Sequence, residues 1–304
     1  MQACPDQSEP APASDLAARG SPLSLTAVEE AAAVLLRDGC VRCTAMLSPQ
    51  VCDALWQEID SRLGTAIATA TTHPPNFAQV RTPGHRWDMY LPADCAPVAV
   101  ALQELLGGAL GNLFRVTFDG CVDAPVVELS TLVSDRGADC QPLHQDTTME
   151  VHTYTAFVAL QDIDASMGPT LLLPGTHNEI AHRLFDHPAT KDDFVSECDV
   201  KLATMKQGDA VIMDSRCIHA GGANSSNTRR ILFYVTVRHP LCYAYQVRVP
   251  ASRFHPYPFV AVCPRRIHLC DARKPCFLIT RRLKRGWMST RLAQAQSWQK
   301  WSST

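Results

Sequence analysis

The spacing of apolar residues divides the chain into a helical front and a stranded body. Residues 28–37 are rich in Ala and Leu and read as a helix, with Thr26 and Glu29 spaced as a capping box and Gly39 as its stop. Residues 39–43 read as a short strand. Ser48 opens a second helix running to Leu63, in which Val51, Leu55, Ile59 and Leu63 line one face at four-residue steps. The Thr- and Pro-rich stretch 64–84 predicts a loop and 86–91 a strand. Residues 97–113 predict a third helix, weakened near its end by Gly107 and Gly108. From Pro125 the period changes. Stretches 126–134, 151–161, 170–173, 200–205, 210–213 and 231–238 are β-branched or alternating, and Gly- and Pro-containing turns separate them. Helices followed by many short strands predict an α+β, mainly β chain: a sandwich or barrel with N-terminal helices packed on one sheet.

Composition sharpens the domain picture. The chain has 304 residues, 46% of them hydrophobic, enough to bury a large core. Its net charge of −2 excludes a whole-molecule polycation, but the balance is uneven. Residues 241–304 hold 12 Lys/Arg and one acid, whereas residues 1–240 hold 16 Lys/Arg and 29 acids. The expected organisation is a disordered leader at 1–23, one domain at 24–250, and a basic, Cys-containing tail at 251–304. The role of that tail is open: nucleic acid, acidic lipid or an acidic partner on one side, an extension without a role on the other.

No apolar run reaches the roughly 18–20 residues that span a bilayer. The N-terminus has no basic region followed by an apolar one, and the last four residues are no retention or peroxisomal address. With 13 cysteines at irregular spacing, reduced thiols in an intracellular, cytoplasmic setting are expected. Cys40-x-x-Cys43 lacks the second pair that a zinc site needs.

The chemistry gathers around Pro142-Leu143-His144-Gln145-Asp146-Thr147. In extended chain His144 and Asp146 project to one side, so an imidazole and a carboxylate reach one metal. A third ligand is available in His219, 75 residues after His144 and next to Gly221-Gly222. Two His and one carboxylate, with three positions left open, define the facial triad of non-haem Fe(II) oxygenases. Such an enzyme using 2-oxoglutarate also needs a cation for the far carboxylate, which Arg matches bidentately. Arg229 and Arg230 both qualify, and in a strand only one of them points inward. Alternation further places Arg86, Asp88 and Tyr90 on one face of the 86–91 strand, as a pocket wall or as packing.

Four segments in order resemble the phytanoyl-CoA dioxygenase family: P-L-H-Q-D-T, then M-G-P-T-L-L-L-P-G-T-H from Met167, then K-Q-G-D-A-V-I-M-D from Lys206, then I-H-A-G-G-A-N-S-S-N-T-R-R from Ile218. The resemblance implies a double-stranded β-helix, a cupin-like jelly roll holding Fe(II), 2-oxoglutarate and O2 at its mouth. It implies His144, Asp146 and His219 as iron ligands and Arg230 as the 2-oxoglutarate anchor. Gln141 and Thr170 match positions that hydrogen-bond 2-oxoglutarate in related fungal enzymes, and Phe157 matches an aromatic beside the cosubstrate. Gly221 departs from relatives that carry Ser there. Asp146 stands where halogenating relatives have a small residue, which implies oxygen transfer. The implied activity couples decarboxylation of 2-oxoglutarate, giving succinate and CO2, to C–H hydroxylation of a small organic substrate. The alternatives are desaturation, epimerisation or endoperoxidation at the same iron, or a catalytically silent jelly-roll binding protein. Loops 64–84 and 182–198 are expected to line the substrate pocket.

Overall fold

The computed structural model describes residues 21–22, 26–69, 77–78, 80, 84–120, 124–239, 259–263 and 266–270. The expected leader lies outside the described residues apart from Ser21–Pro22 (β1), which pairs in parallel with Lys201–Leu202. Helix α1 (Val28–Asp38) buries Ala31 and Leu35 completely, one turn apart. It stops where Gly39 takes a φ of 73° and returns its N–H to Leu35 O. The expected capping box is absent, and the N-cap is Ala27, with no side-chain cap. Thr26 lies one residue too early and donates its N–H to Arg42 O at 2.9 Å, tying the chain to the next strand instead.

Strand β2 (Cys40–Cys43) leads into α2 (Pro49–Thr69). Leu55, Ile59 and Leu63 are fully buried on one face, and Ala66 continues the stripe, so the helix overruns the stretch expected to be loop. Positions 70–76, 79 and 81–83 of that expected loop lie outside the described residues. After β3 (Arg86–Tyr90), the expected third helix is two, α3 (Ala96–Gly107) and α4 (Ala109–Thr117), bent by 52°. The bend falls at Gly108, where a Cβ would sit 2.5 Å from Glu104 O. Among the described residues no single helix is long and apolar enough to cross a membrane.

The strands that follow are β4 (Pro125–Ser134), β5 (Thr153–Ala159), β6 (Thr170–Leu172), β7 (Lys201–Leu202), β8 (Ala210–Asp214), β9 (His219–Gly221) and β10 (Arg230–Arg238). Two more, β11 (Phe259–Cys263) and β12 (Arg266–Cys270), form a hairpin within the expected tail, and β11 pairs with Pro125 and Val126. The rest of that tail, 251–258, 264–265 and 271–304, lies outside the described residues. The large sheet runs β12-β11-β4-β10-β5-β8-β2, with β3 also on β4, and the small sheet runs β1-β7-β6-β9. Together they form the double-stranded β-helix.

Segment 182–198, expected as loop, is helical. Helix α5 (Glu179–Asp186) is capped by Asn178, whose side chain accepts from Ile180 and Ala181 N–H. Helix α6 (Pro188–Glu197) starts on a proline behind His187. Both are too short for periodicity to stand out, and their caps were the available signal.

Strand β10 shows why the large sheet is buried on both faces. Ile231, Phe233, Val235 and Val237 pack with Leu35, Leu55, Ile59 and Leu105 of the helices. Leu232 and Tyr234 point the other way, into a second core between the sheets with Phe157, Leu172, Val211 and Met213. All nine residues of the strand are buried. Its inward set therefore includes Arg230, which with Arg86 heads the largest fully buried side chains.

Candidate active site

His144 and His219 meet because their backbones pair. Each N–H donates to the other's carbonyl at 2.9 Å, and the ring centroids lie 4.3 Å apart. Asp146 docks separately: its N–H and that of Thr147 both donate to Ser215 O, in the turn after β8. His219 begins β9, where Leu172 is its cross-strand partner. Thr176 supports that turn, donating to Leu173 O at 2.6 Å and accepting from Ile218 N–H at 2.9 Å.

The three side chains converge. Asp146 Oδ1 is 3.6 Å from His144 Nε2, and Asp146 Oδ2 is 3.5 Å from His219 Nε2. One ligand atom from each residue lies within 4.8 Å of the other two, the only such group among the described residues. The tautomers suit a metal. His144 Nδ1 faces Pro142 O at 2.8 Å and His219 Nδ1 faces Cys217 O at 3.0 Å. Carbonyls only accept, so each Nδ1 carries the proton and each Nε2 lone pair points at the common centre. The protein supplies three ligands, and the Asp146 side chain among them stays 40% exposed. That open donor set fits Fe(II) with exchangeable ligands rather than a closed structural zinc site.

Arg230 is the inward arginine of its pair. Arg229 points out and binds Asp135 and Asp60, both at 2.5 Å. Arg230 is completely buried, donating to Gly168 O and, at 3.0 Å, to Ser134 Oγ. Beside it Arg86, 2% exposed, donates to the same Ser134 Oγ at 3.2 Å and to Gly222 O at 2.7 Å. Among the described residues neither guanidinium has a carboxylate partner, and Arg230 Nε and Arg86 Nη1 have no hydrogen-bond partner. Burial and the neighbouring Arg86 push Arg230 down to about 9, and burial lowers Arg86. Two buried cations with donors to spare make a seat for an anion.

Sequence reasoning left Arg86 between packing and pocket wall. The register explains its place: β3 pairs with β4 so that Arg86 stands opposite Ser134, which is also opposite Arg230 on β10. Gly221 belongs to the same arrangement. A Cβ there would lie 2.6 Å from Gln141 Oε1 and 3.0 Å from Arg86 Nη1. The glycine therefore makes room for both groups, and its N–H donates to Gln141 Oε1 at 2.9 Å. Thr170, 5% exposed, is the cross-strand partner of Gly221. Phe157 lies on the inner face of β5, its ring 5.3 Å from that of Tyr234.

The inner face also holds Glu128 and Tyr234, which sequence reasoning did not assign, beside Asp88, which it had placed on the face of Arg86. Tyr234 Oη lies 2.9 and 3.0 Å from the two Asp88 oxygens and 2.9 Å from Glu128 Oε1. The signal was available: Glu128, Ser130 and Ser134 recur at even positions on a strand whose odd positions include the apolar Val127, Leu129 and Val133. Burial first, then the Glu128 and Asp146 charges, push Asp88 up to about 7 against the Tyr234 hydrogen bond, and burial raises Glu128 too. A carboxyl that binds its proton more tightly folded than unfolded loses stability as pH rises from about 4 through about 7. Asp88→Asn is therefore expected to raise stability at pH 8 by on the order of 1–3 kcal/mol, the gain shrinking towards pH 5. Chemical denaturation at the two pH values checks this, and a loss at pH 8 contradicts it.

The comparisons with known proteins agree with this geometry. The family model described as Phytanoyl-CoA dioxygenase (PhyH) matches residues 35–232. A dioxygenase of Penicillium expansum, cnsJ, is 37% identical over 73 residues, which is 24% of this chain and 20% of that protein. The chain thus spans about a fifth of that curated relative. Among solved structures, the non-heme alpha ketoglutarate dependent carbocyclase SnoK from nogalamycin biosynthesis superposes with a TM-score of 0.53 at 17% identity. That likeness covers 72% of this chain and 87% of SnoK. The epimerase SnoN from the same pathway gives 0.52 at 17% identity, over 69% of this chain and 82% of SnoN. At such identities these likenesses speak for the fold. With the family model spanning most of the chain and a two-histidine, one-carboxylate triad at the mouth of a double-stranded β-helix, this protein belongs to the phytanoyl-CoA dioxygenase family of non-haem Fe(II)/2-oxoglutarate enzymes.

Proposed function

We propose that the chain uses Fe(II), 2-oxoglutarate and O2 to remove a hydrogen from a small organic substrate, and that ring closure or epimerisation follows. The observation that carries the cosubstrate is the pair of buried guanidiniums beside the triad, neither with a carboxylate partner among the described residues. His144, Asp146 and His219 hold the metal, and Arg230 with Arg86 takes the far carboxylate of 2-oxoglutarate. Gln141, oriented by the Gly221 N–H, and Thr170 line the same end, and Phe157 closes the side towards the substrate. Bound iron, 2-oxoglutarate and O2 supply the oxidising power through decarboxylation to succinate and CO2. The protein's part is to orient the cosubstrate, keep water from the buried arginines and hold the substrate carbon in reach.

The outcome after hydrogen removal is supported by the solved relatives, one a carbocyclase and one an epimerase. Asp146 occupies the position that a halide would need, so halogenation is not part of the proposal. The test is turnover under 18O2 with candidate substrates. One label is expected in succinate and none in the product, whose mass falls by two hydrogens on ring closure, the substrate supplying the last two electrons, or stays unchanged on epimerisation, for which an added reductant such as ascorbate supplies them. An 18O-labelled hydroxyl in the product would overturn the ring-closure reading in favour of hydroxylation. Absence of succinate together with absence of the visible charge-transfer band of the iron–2-oxoglutarate complex would overturn the enzyme class.

A further inference from the structure

Three consecutive carbonyls in the turn after β8 each accept a hydrogen bond from a different part of the chain. Ser215 O accepts from Asp146 N–H at 2.9 Å and from Thr147 N–H at 3.3 Å. Arg216 O accepts from His182 Nε2 of α5 at 2.7 Å. Cys217 O accepts from His219 Nδ1 at 3.0 Å. One short turn therefore aims two of the three converging side chains. It docks the backbone of Asp146, and it sets the ring and the tautomer of His219. The direction of a carbonyl follows from the backbone dihedrals, so whatever fixes the turn fixes both.

Asp214 holds the turn from behind. It ends β8 on the parity of Ala210 and Ile212, the face packed on the helices, with Tyr154 as its partner on β5. It is 1% exposed and lies outside the group of converging ligand atoms. Oδ1 accepts from Arg216 N–H at 3.0 Å and from Arg216 Nε at 2.8 Å, and Oδ2 accepts from Arg216 Nη2 at 2.5 Å. One carboxylate thus grips both the backbone and the guanidinium fork of the residue in the middle of the turn. The Asp214 carbonyl accepts from Cys217 N–H at 2.8 Å and closes the loop. His152 Nε2 stands 3.3 Å from Oδ2. Burial alone would raise the Asp214 pKa, but the Arg216 hydrogen bonds and the nearby His152 hold it well below the usual carboxylate range. The clasp is therefore charged at neutral pH.

We propose that Asp214 and Arg216 are a positioning pair for the metal centre: their clasp fixes the turn whose Ser215 and Cys217 carbonyls aim Asp146 and His219. The proposal rests on the reading of His144, Asp146 and His219 as the metal ligands. Asp214 acts through the backbone, since its carboxylate faces the helices and not the triad. A comparable ion pair at the other end of β8 lacks this connection. Asp209, 4% exposed, binds Arg42 Nη2 at 2.8 Å and accepts from the N–H groups of Ala45 and Lys206. It buries the same kind of charge pair without touching the loops that carry the ligands.

The test reads metal binding on the full chain, without turnover. Fe(II) affinity is measured anaerobically by competition with a chelator, and the ligand-field spectrum of the Co(II)-loaded protein reports the ligand geometry. Asp214→Asn is expected to weaken Fe(II) binding by about 10–100-fold and to shift the Co(II) bands. Asp209→Asn is expected to keep wild-type affinity and spectrum. Both variants are expected to lose stability in chemical denaturation, because each leaves a buried arginine without its charge partner. Only the first is expected to lose metal. Unchanged affinity in Asp214→Asn overturns the proposal, and so does an equal loss in both variants, which would mark general destabilisation. If Asp214→Asn fails to fold, Arg216→Lys replaces it. That change keeps the charge and the backbone bond but removes the fork, and it is expected to lose about 10-fold, the lower end of the same range. Wild-type affinity in Arg216→Lys then overturns the proposal. The wild-type chain and His219→Ala separate this idea from the reading beneath it. A wild-type chain that binds no metal, or a His219→Ala variant that binds it as tightly, rejects the triad and the clasp together. Tight wild-type binding that His219→Ala abolishes and Asp214→Asn leaves intact rejects the clasp alone.

Discussion

Replacing His219 with alanine is expected to abolish succinate formation and to weaken iron binding by at least about 100-fold, since even changes to groups behind a metal ligand cost ~10–100-fold. The geometry makes the loss severe. Asp146 sits 3.5 Å from His219 and 3.6 Å from His144, so each ligand's absence leaves two donors with no third side. The fold is expected to survive. His219 contributes its backbone to the pairing with His144 and Leu172, and alanine keeps both. The variant should therefore bind 2-oxoglutarate weakly through the arginines while losing iron, which atomic absorption and the charge-transfer band read separately. Retained iron and full succinate release would reject the triad.

Arg230→Met is expected to lower 2-oxoglutarate affinity by about 10²–10⁴-fold, because two hydrogen bonds to a charged group are worth ~1.5–3 kcal/mol each. The same change should leave the melting temperature of the metal-free protein unchanged or higher. Wild-type Arg230 is a buried cation pushed down to about 9, lying against a second buried cation and facing no carboxylate among the described residues. Methionine fills a similar volume without the desolvation cost. A purely structural arginine would show the opposite pattern, with stability lost and cosubstrate affinity kept. Thermal melting and 2-oxoglutarate titration, run on the same variant, distinguish the two.

These outcomes turn on features that differ in how far the chain alone reveals them. The triad was readable because His144-x-Asp146 is local and His219 sits in a glycine-flanked segment with a recurring pattern. The choice between Arg229 and Arg230 was open to pattern alone. Strand parity allows one inward side chain, and which one depends on where pairing begins: β10 starts at Arg230, opposite Ser134. Thr26 shows the converse. A local capping pattern was overruled where the Thr26 backbone N–H is tied to the Arg42 carbonyl on β2. Helices α5 and α6 were hidden by brevity.

By itself, the sequence determined a helical front and a stranded body, the buried face of α2, and the identity of the three triad side chains. These depend on periods of two and 3.6 residues and on short local motifs, which are carried by neighbours along the chain. Only the tertiary structure decided that Arg86 joins Arg230, that Gly221 makes room for Gln141, and that Asp88 and Glu128 meet at Tyr234. Each of those is a contact between strands far apart in sequence, set by register. A slip of one residue would turn every one of these side chains to the other face of its sheet.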